Sequence, residues 1–284
     1  MSDDTSALNV VAGGVTLLGE RHGEGAPIVL LHGLTATRRY VVMGSRTLER
    51  SGHTVISYDA RGHGRSSPAA DRAYGYERLA ADLLAVLDAA GVERSVLAGA
   101  SMGAHTAVRF TLEHPERVAG LALITPAYEP SSYGGGQFAH WDALAHGLRE
   151  GGVDGFIRAY DLEAVPSAWR ETVQTVLRQR LSAHEHPEAV ADALEVVPRS
   201  RPFEAMAELE SVAVPTLVVA SRDEADPEHP LAVGERYAAT IPDARLAVED
   251  AGVDGQPARS PIAWQGGQLS KLLIDLIDNT NQGM

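Results

Sequence analysis

The stretch Gly99-Ala100-Ser101-Met102-Gly103 constrains this chain more than any other part of it. It matches G-x-S-x-G, and it lies between an apolar run over 95–100 and a helical pattern over 102–113 that Pro115 closes. A chain that passes straight from a buried strand into a helix must turn within one or two residues. The turn forces its central residue into a strained backbone conformation and leaves that side chain proud of the sheet. Here the central residue is Ser101, and the positions two before and two after are both glycine. Small residues at those places let strand and helix approach each other. The helix start also favours negative charge developing beside it. The G-x-G-x-x-G spacing of a dinucleotide site is absent, so the turn is not read as a nucleotide loop.

The rest of the chain repeats the alternation. Apolar runs at 27–31, 53–58, 118–124 and 215–220, with a weaker one at 244–249, predict further strands. The stretch 9–21, interrupted at Gly13-Gly14, predicts a leading hairpin. Between them, 76–90 places Leu79, Leu83, Leu84 and Leu87 on one helical face before Gly91, and 269–277 forms a last apolar-faced helix. Fully apolar strands joined by helices predict an α/β fold, a mostly parallel central sheet with helices on both faces. The rhythm breaks from Ser131 to about Ser211, where a Ser/Gly-rich opening precedes helical patterns at 141–148, 168–181 and 187–197. A structureless loop of about 80 residues is implausible in a compact domain. The expectation is a core of 1–130 and 212–284 with a helical cap insertion at 131–211. No internal repeat is found.

Composition narrows the function classes. The chain has no cysteine, which excludes disulfides, thiolate metal sites and a cysteine nucleophile. Its formal net charge of -14 makes nucleic acid a poor partner. No apolar run approaches the ~20 residues needed to span a bilayer. The start, Met-Ser-Asp-Asp-Thr-Ser, is unlike a signal or transit peptide. A cytoplasmic protein is expected, with a small-molecule substrate, no membrane partner, no cofactor and no metal. The oligomeric state is not legible, a homodimer being one option.

Two further motifs join the turn. His32-Gly33-Leu34-Thr35 follows the first central strand. Acyl transfer generates an oxyanion that needs two aimed donors, and the backbone N–H groups of Leu34 and Met102 are the candidates. Losing one such donor typically costs about 3–4 kcal/mol of transition-state stabilisation. Asp59-Ala60-Arg61-Gly62-His63-Gly64-Arg65-Ser66 follows the second central strand. In this order, His32-Gly33, the Asp59–Ser66 run and the Ser101 turn resemble the α/β-hydrolase superfamily over essentially the whole chain. The resemblance implies a serine nucleophile at Ser101 and a small or medium, largely apolar ester, thioester or ketone as substrate. It also implies a mainly structural role for 59–66, with His32 and His63 not catalytic. The family's acidic triad member follows the strand corresponding to 215–220. Asp226-Pro227-x-x-Pro230 resembles its Asp-Pro-x-x-Pro form and selects Asp226, while Asp223 lies nearer the strand end and stays as the alternative.

The pattern departs from the family at one place. The family's histidine follows the last strand, where this chain has Val253, and none of the eleven histidines lies beyond His229. A serine hydroxyl needs an adjacent base, worth about 10²–10⁴ in rate. Three accounts compete. In the first, another histidine substitutes. His229, three residues beyond Asp226, is the leading candidate. His105 one turn past Ser101 is expected to pack beneath the turn, and His140 and His146 would hang over the site from the cap. In the second, the fold performs lyase or cyclase chemistry. In the third, it binds a small molecule without turnover. His184-Glu185-His186 is expected to be a solvated turn rather than a metal site. Of Trp141, Phe156, Tyr160, Trp169 and Phe203, most are expected to pack the cap onto the core, with one or two lining a pocket. Few cap Lys or Arg residues align with the site, so a strongly anionic substrate is not expected. The leading expectation is an esterase-like serine hydrolase acting on a carboxylic ester or a related acyl or carbon–carbon bond.

Overall fold

In a computed structural model, which describes residues 5–132, 134, 136–222, 226–251 and 260–282, the apolar runs become one eight-stranded sheet. Thr5–Ala12 (β1) and Val15–His22 (β2) form the leading hairpin. Pro27–Leu31 (β3), Thr54–Tyr58 (β4), Ser95–Ala100 (β5), Val118–Ile124 (β6), Thr216–Ala220 (β7) and Ala244–Val248 (β8) follow. The spatial order is β1-β2-β4-β3-β5-β6-β7-β8. The β1–β2 and β2–β4 pairs are antiparallel and every other neighbouring pair is parallel.

Eight helices complete the described chain: Thr47–Arg50 (α1), Tyr76–Ala89 (α2), Met102–Glu113 (α3), Gly136–Ala159 (α4), Arg170–Leu181 (α5), Pro187–Val196 (α6), Leu231–Thr240 (α7) and Gly266–Gln282 (α8). Successive strand residues point to opposite faces, and the two faces have separate cores. Val29, Leu31 and Leu97 pack with Leu83 of α2, Val108 of α3 and Tyr237 of α7. Ile28, Leu30, Val96 and Ala98 pack with Leu48 of α1 and with Leu273 and Ile277 of α8. This is the expected α/β architecture. No helix among the described residues is long and apolar enough to cross a membrane.

The helical insertion between β6 and β7 contains α4, α5 and α6. The pattern at 141–148 is part of the longer α4, which breaks at Gly151-Gly152, where Gly152 takes a φ of 56°. The insertion is fastened to the core at a place the sequence reading took for a solvated turn. His184 is half-buried instead. Gly64 N–H donates to its Nδ1 (2.8 Å), which leaves Nε2–H to donate to the Thr35 carbonyl (3.2 Å). Glu185 N–H donates to the Gly64 carbonyl (2.8 Å). Burial pushes the His184 pKa down to about 4, so the ring is neutral and can accept as well as donate. Its partners lie on loops of the core more than a hundred residues away in sequence, which no local pattern reveals.

The 59–66 segment is built structurally, as the resemblance implied. Arg61 Nε and Nη2 donate to the two carboxylate oxygens of Asp82 on α2, both at 2.7 Å, and Arg61 Nη1 donates to the Ala73 carbonyl (2.8 Å). Both partners are buried. Removing one partner of such a pair leaves the other charge desolvated and uncompensated. Asp82→Ala is therefore expected to lower unfolding free energy by about 3–5 kcal/mol in urea denaturation. Glu185→Ala removes only the exposed Arg65–Glu185 pair (3.1 Å) and is expected to cost at most about 1 kcal/mol.

Candidate active site

Ser101 stands between β5 and α3 with φ 50° and ψ −111°, a strained conformation for a residue with a side chain. The packing around it explains why both flanking positions are glycine. A Cβ on Gly99 would sit 2.1 Å from the Gly103 carbonyl oxygen, and one on Gly103 would sit 2.1 Å from the Leu31 carbonyl oxygen. Ser101 itself is tied on both sides: its N–H donates to Ile124 of β6 (2.9 Å), and its carbonyl accepts from His105 N–H in the first turn of α3 (3.1 Å).

The loop after β3 is fixed by His32 and His63, the two histidines that the sequence reading took as non-catalytic. Ala60 N–H donates to His32 Nε2 (2.9 Å), so Nδ1 carries the proton and donates to the Gly33 carbonyl (2.8 Å). Ala36 N–H donates to the same carbonyl (3.0 Å). The peptide unit is planar, so holding the Gly33 carbonyl also fixes the direction of the Leu34 N–H. The buried His63 ring lies between the carbonyls of Leu34 and Arg61 (2.6 and 2.9 Å). Burial lowers the pKa of both His32 and His63, which keeps them neutral. Met102 is the first residue of α3, and its N–H has no acceptor one turn back. Gly33, Leu34, Ser101 and Met102 line a common cavity.

Asp226 and His229 meet Ser101 there. His229 Nε2 lies 3.0 Å from Ser101 Oγ, and Nδ1 lies 2.9 and 3.0 Å from the two Asp226 carboxylate oxygens. Nδ1–H donates to the carboxylate, which leaves the Nε2 lone pair to accept from the serine hydroxyl. Asp226 and His229 sit on one turn between β7 and α7, where His229 N–H donates to the Asp226 carbonyl (3.2 Å). An imidazole thus reaches the serine although none follows β8 in the sequence. Asp223 and Val253 lie outside the described residues.

Electrostatics separate the nearby imidazoles. Burial opposes a charge on His229, but Asp226, by charge and hydrogen bond, together with Glu228, outweighs it and holds the pKa above 6.5. Burial raises the Asp226 pKa, but His229 and Arg180 outweigh that and hold it below its ordinary value. His105 has no such carboxylate, and burial drives it down to about 3. It packs beneath the turn as expected: Nδ1 meets the Tyr76 hydroxyl (3.0 Å), and Nε2 accepts from Ala127 and Tyr128 N–H (3.1 and 3.0 Å). His140 lines the cavity and pairs with Glu228 (3.7 Å), whereas His146 is exposed and away from it.

The cavity measures about 1060 Å³, at the upper end of the usual range for small-molecule sites. The insertion supplies much of its wall. Trp141, Phe156, Tyr160 and Trp169 all line it, more than the one or two expected, while Phe203 is buried elsewhere against Tyr128 and Tyr237. Arg39 of the core and Arg180, the one cap arginine or lysine among the lining residues, also line it, in keeping with the expectation of few cap cations there. The signal for Arg180 was present in α5, where Val173, Leu177 and Arg180 recur at helical spacing on one face. No group of His, Asp and Glu that could hold a metal is found among the described residues.

Comparisons with known proteins identify the fold family. The sequence profile of the alpha/beta hydrolase fold family matches residues 26–256. A Pseudomonas putida protein named 2-hydroxy-6-oxononadienedioate/2-hydroxy-6-oxononatrienedioate hydrolase 2 is 33% identical over 233 residues, 80% of each chain. A Variovorax paradoxus protein, a carbamate hydrolase (RutD) by name only, is 31% identical over 209 residues, 72% of this chain and 77% of its own. The solved structure of a thermophilic esterase from Thermogutta terrifontis superposes with a TM-score of 0.77 at 25% identity, covering 97% of this chain and 99% of its own.

The tight approach at the turn has a direct consequence. Gly103→Ala pushes a methyl group into the Leu31 main chain, which cannot swing aside. It is expected to cost at least about 1–3 kcal/mol, read as a lowered urea midpoint. Gly267→Ala in α8, with nothing within 4 Å of the new Cβ, is expected to be neutral or slightly stabilising.

Proposed function

Since the chain belongs to the α/β-hydrolase fold family, we propose that it hydrolyses small or medium carboxylic esters, or a related acyl or carbon–carbon bond, through Ser101 as nucleophile. His229 is the general base, Asp226 orients it, and the N–H groups of Leu34 and Met102 hold the oxyanion. One observation carries this reading: the unbroken hydrogen-bonded line Asp226–His229–Ser101 that ends at a cavity beside both amides.

The chemistry follows from the atoms. Ser101 Oγ attacks the substrate carbonyl carbon while its proton passes to His229 Nε2. The carbonyl oxygen becomes an oxyanion facing two fixed N–H donors and the start of α3. Asp226 stabilises the imidazolium without taking its proton. Nε2–H then protonates the leaving group, and the bond to it breaks. Water repeats the sequence on the acyl-enzyme, giving its proton to His229, and Ser101 recovers its own as the acid departs. The names of the relatives support attack at a carbonyl carbon, since they include an esterase, a carbamate hydrolase and a hydrolase of an oxo-dienedioate. The lyase and binding-protein readings rested on the lack of a base after β8, and His229 beside Ser101 removes that motive.

A fluorophosphonate is expected to form an adduct at Ser101 in the native protein and none in Ser101→Ala, read by mass spectrometry of the intact chain. Failure of the native protein to label at any pH would end the reading. His229 accepts a proton only when neutral, and its pKa lies above 6.5. Hence kcat/KM for p-nitrophenyl butyrate is expected to rise with pH through a midpoint above 6.5. Asp226→Asn removes the charge that opposes burial, so that limb should move to lower pH while the plateau falls on the order of 10⁴.

A further inference from the structure

The cavity contains a cation that the reaction does not use. Arg180, in the last turn of α5, is close enough to Asp226 and His229 to influence both electrostatically. Among the described residues its guanidinium has neither a hydrogen bond nor an ion pair. Nε is buried without an acceptor, and the group rests over the Tyr40 ring, 5.3 Å from its centroid. The cavity's carboxylates are each engaged with another base. Glu129 pairs with Arg236 (2.6 Å), Asp226 with His229 (2.9 Å) and Glu228 with His140 (3.7 Å).

A partly desolvated cation with no ion-pair partner carries a free-energy cost that a carboxylate would offset. A leucine or methionine at this place would extend the apolar face of α5 and avoid that cost. Arginine remains charged at neutral pH even when burial lowers its pKa, as it does here. A planar guanidinium presents a fork of donors that matches a carboxylate. Among the described residues the lining offers it no further strong acceptor once the carboxylates above are assigned, which leaves the ligand to supply one.

Building on the hydrolase reading, we infer that Arg180 binds a free carboxylate on the substrate while Ser101 attacks a carbonyl elsewhere in the same molecule. The preferred substrates are then monoanionic carbonyl compounds, such as half-esters of dicarboxylic acids or esters of a hydroxy acid, rather than neutral esters. Arg180 acts on binding and selectivity. The apolar wall accommodates the chain between carbonyl and carboxylate.

The test compares charged and capped substrates on the full-length protein. One pair is mono-p-nitrophenyl glutarate and its methyl ester, with the carboxylate on the acyl side. The other is 4-acetoxybenzoate and its methyl ester, with the carboxylate on the leaving group. The native protein should prefer the charged member of at least one pair, mainly through KM, and the responding pair shows the side that Arg180 reads. Arg180→Gln should lower that charged-to-capped ratio of kcat/KM by about 10- to 100-fold, and Arg180→Lys should restore part of it. Arg180→Met should leave Tm unchanged or raise it, because it removes a half-buried charge that has no ion pair among the described residues. No preference for the charged member in either pair, or a preference that survives Arg180→Gln, would overturn the inference while leaving the hydrolase reading in place. A lowered Tm with equal losses on charged and capped esters would assign Arg180 to the fold and also overturn it. If no ester were turned over and Ser101 formed no fluorophosphonate adduct, both readings would fall together.

Discussion

The contact on which the site depends is the approach of α3 to β3 and β5 at Gly103 and Gly99. The Leu31 and Gly103 carbonyls occupy the space where side chains would otherwise stand. That closeness compels Ser101 into its φ of 50°, a conformation costing of order 1–3 kcal/mol. The surrounding sheet and helix pin both sides of its backbone, so the strain persists rather than relaxing. The same kink places Met102 N–H at an open helix start and sets Ser101 Oγ above the end of the sheet. The loop after β3, held through His32 and His63, lines the same cavity with Gly33 and Leu34. Geometry that in water would cost entropy to assemble is thus fixed during folding.

Asp226 and His229 share one short turn between β7 and α7, and this shapes the electrostatics. Three residues separate Asp226 from His229, so their mutual orientation is set locally by Pro227, by the main-chain hydrogen bond between them and by the entry into α7. The same turn is also met by the insertion. His140 and Tyr160 face it from α4 and from just beyond it, and Glu228 of the turn pairs with His140. The insertion therefore has two tasks in this account. It supplies much of the cavity wall, and through His140 it pairs with Glu228 of the Asp226–His229 turn.

The parts legible in the sequence were those governed by local rules. The central strands are apolar because both faces are covered, and their bounds agree with the runs to within a residue. The turn at Ser101 was legible because backbone closeness demands glycine at fixed offsets. Some helices were harder: α1 is a single turn, α7 was not read, and α4 extends well beyond its clearest stretch. The imidazole beside Ser101 was one candidate among several, because Ser101 and His229 are 128 residues apart and only the fold brings them together. His184 was misread for the same reason, its partners lying on distant loops of the core. Arg180 shows a different limit. Helical spacing places it on the apolar face of α5, but what that face meets is decided by tertiary packing.

The most direct test of the central claim is a crystal structure of the covalent adduct formed with a p-nitrophenyl alkylphosphonate, which mimics the tetrahedral intermediate. The account predicts phosphorus bonded to Ser101 Oγ and the phosphonyl oxygen about 2.7–3.1 Å from the nitrogens of both Leu34 and Met102. It also predicts that the imidazole reaching the adduct belongs to His229, with Asp226 behind it. A phosphonyl oxygen turned away from those amides, or a different side chain standing against the serine oxygen, would contradict it.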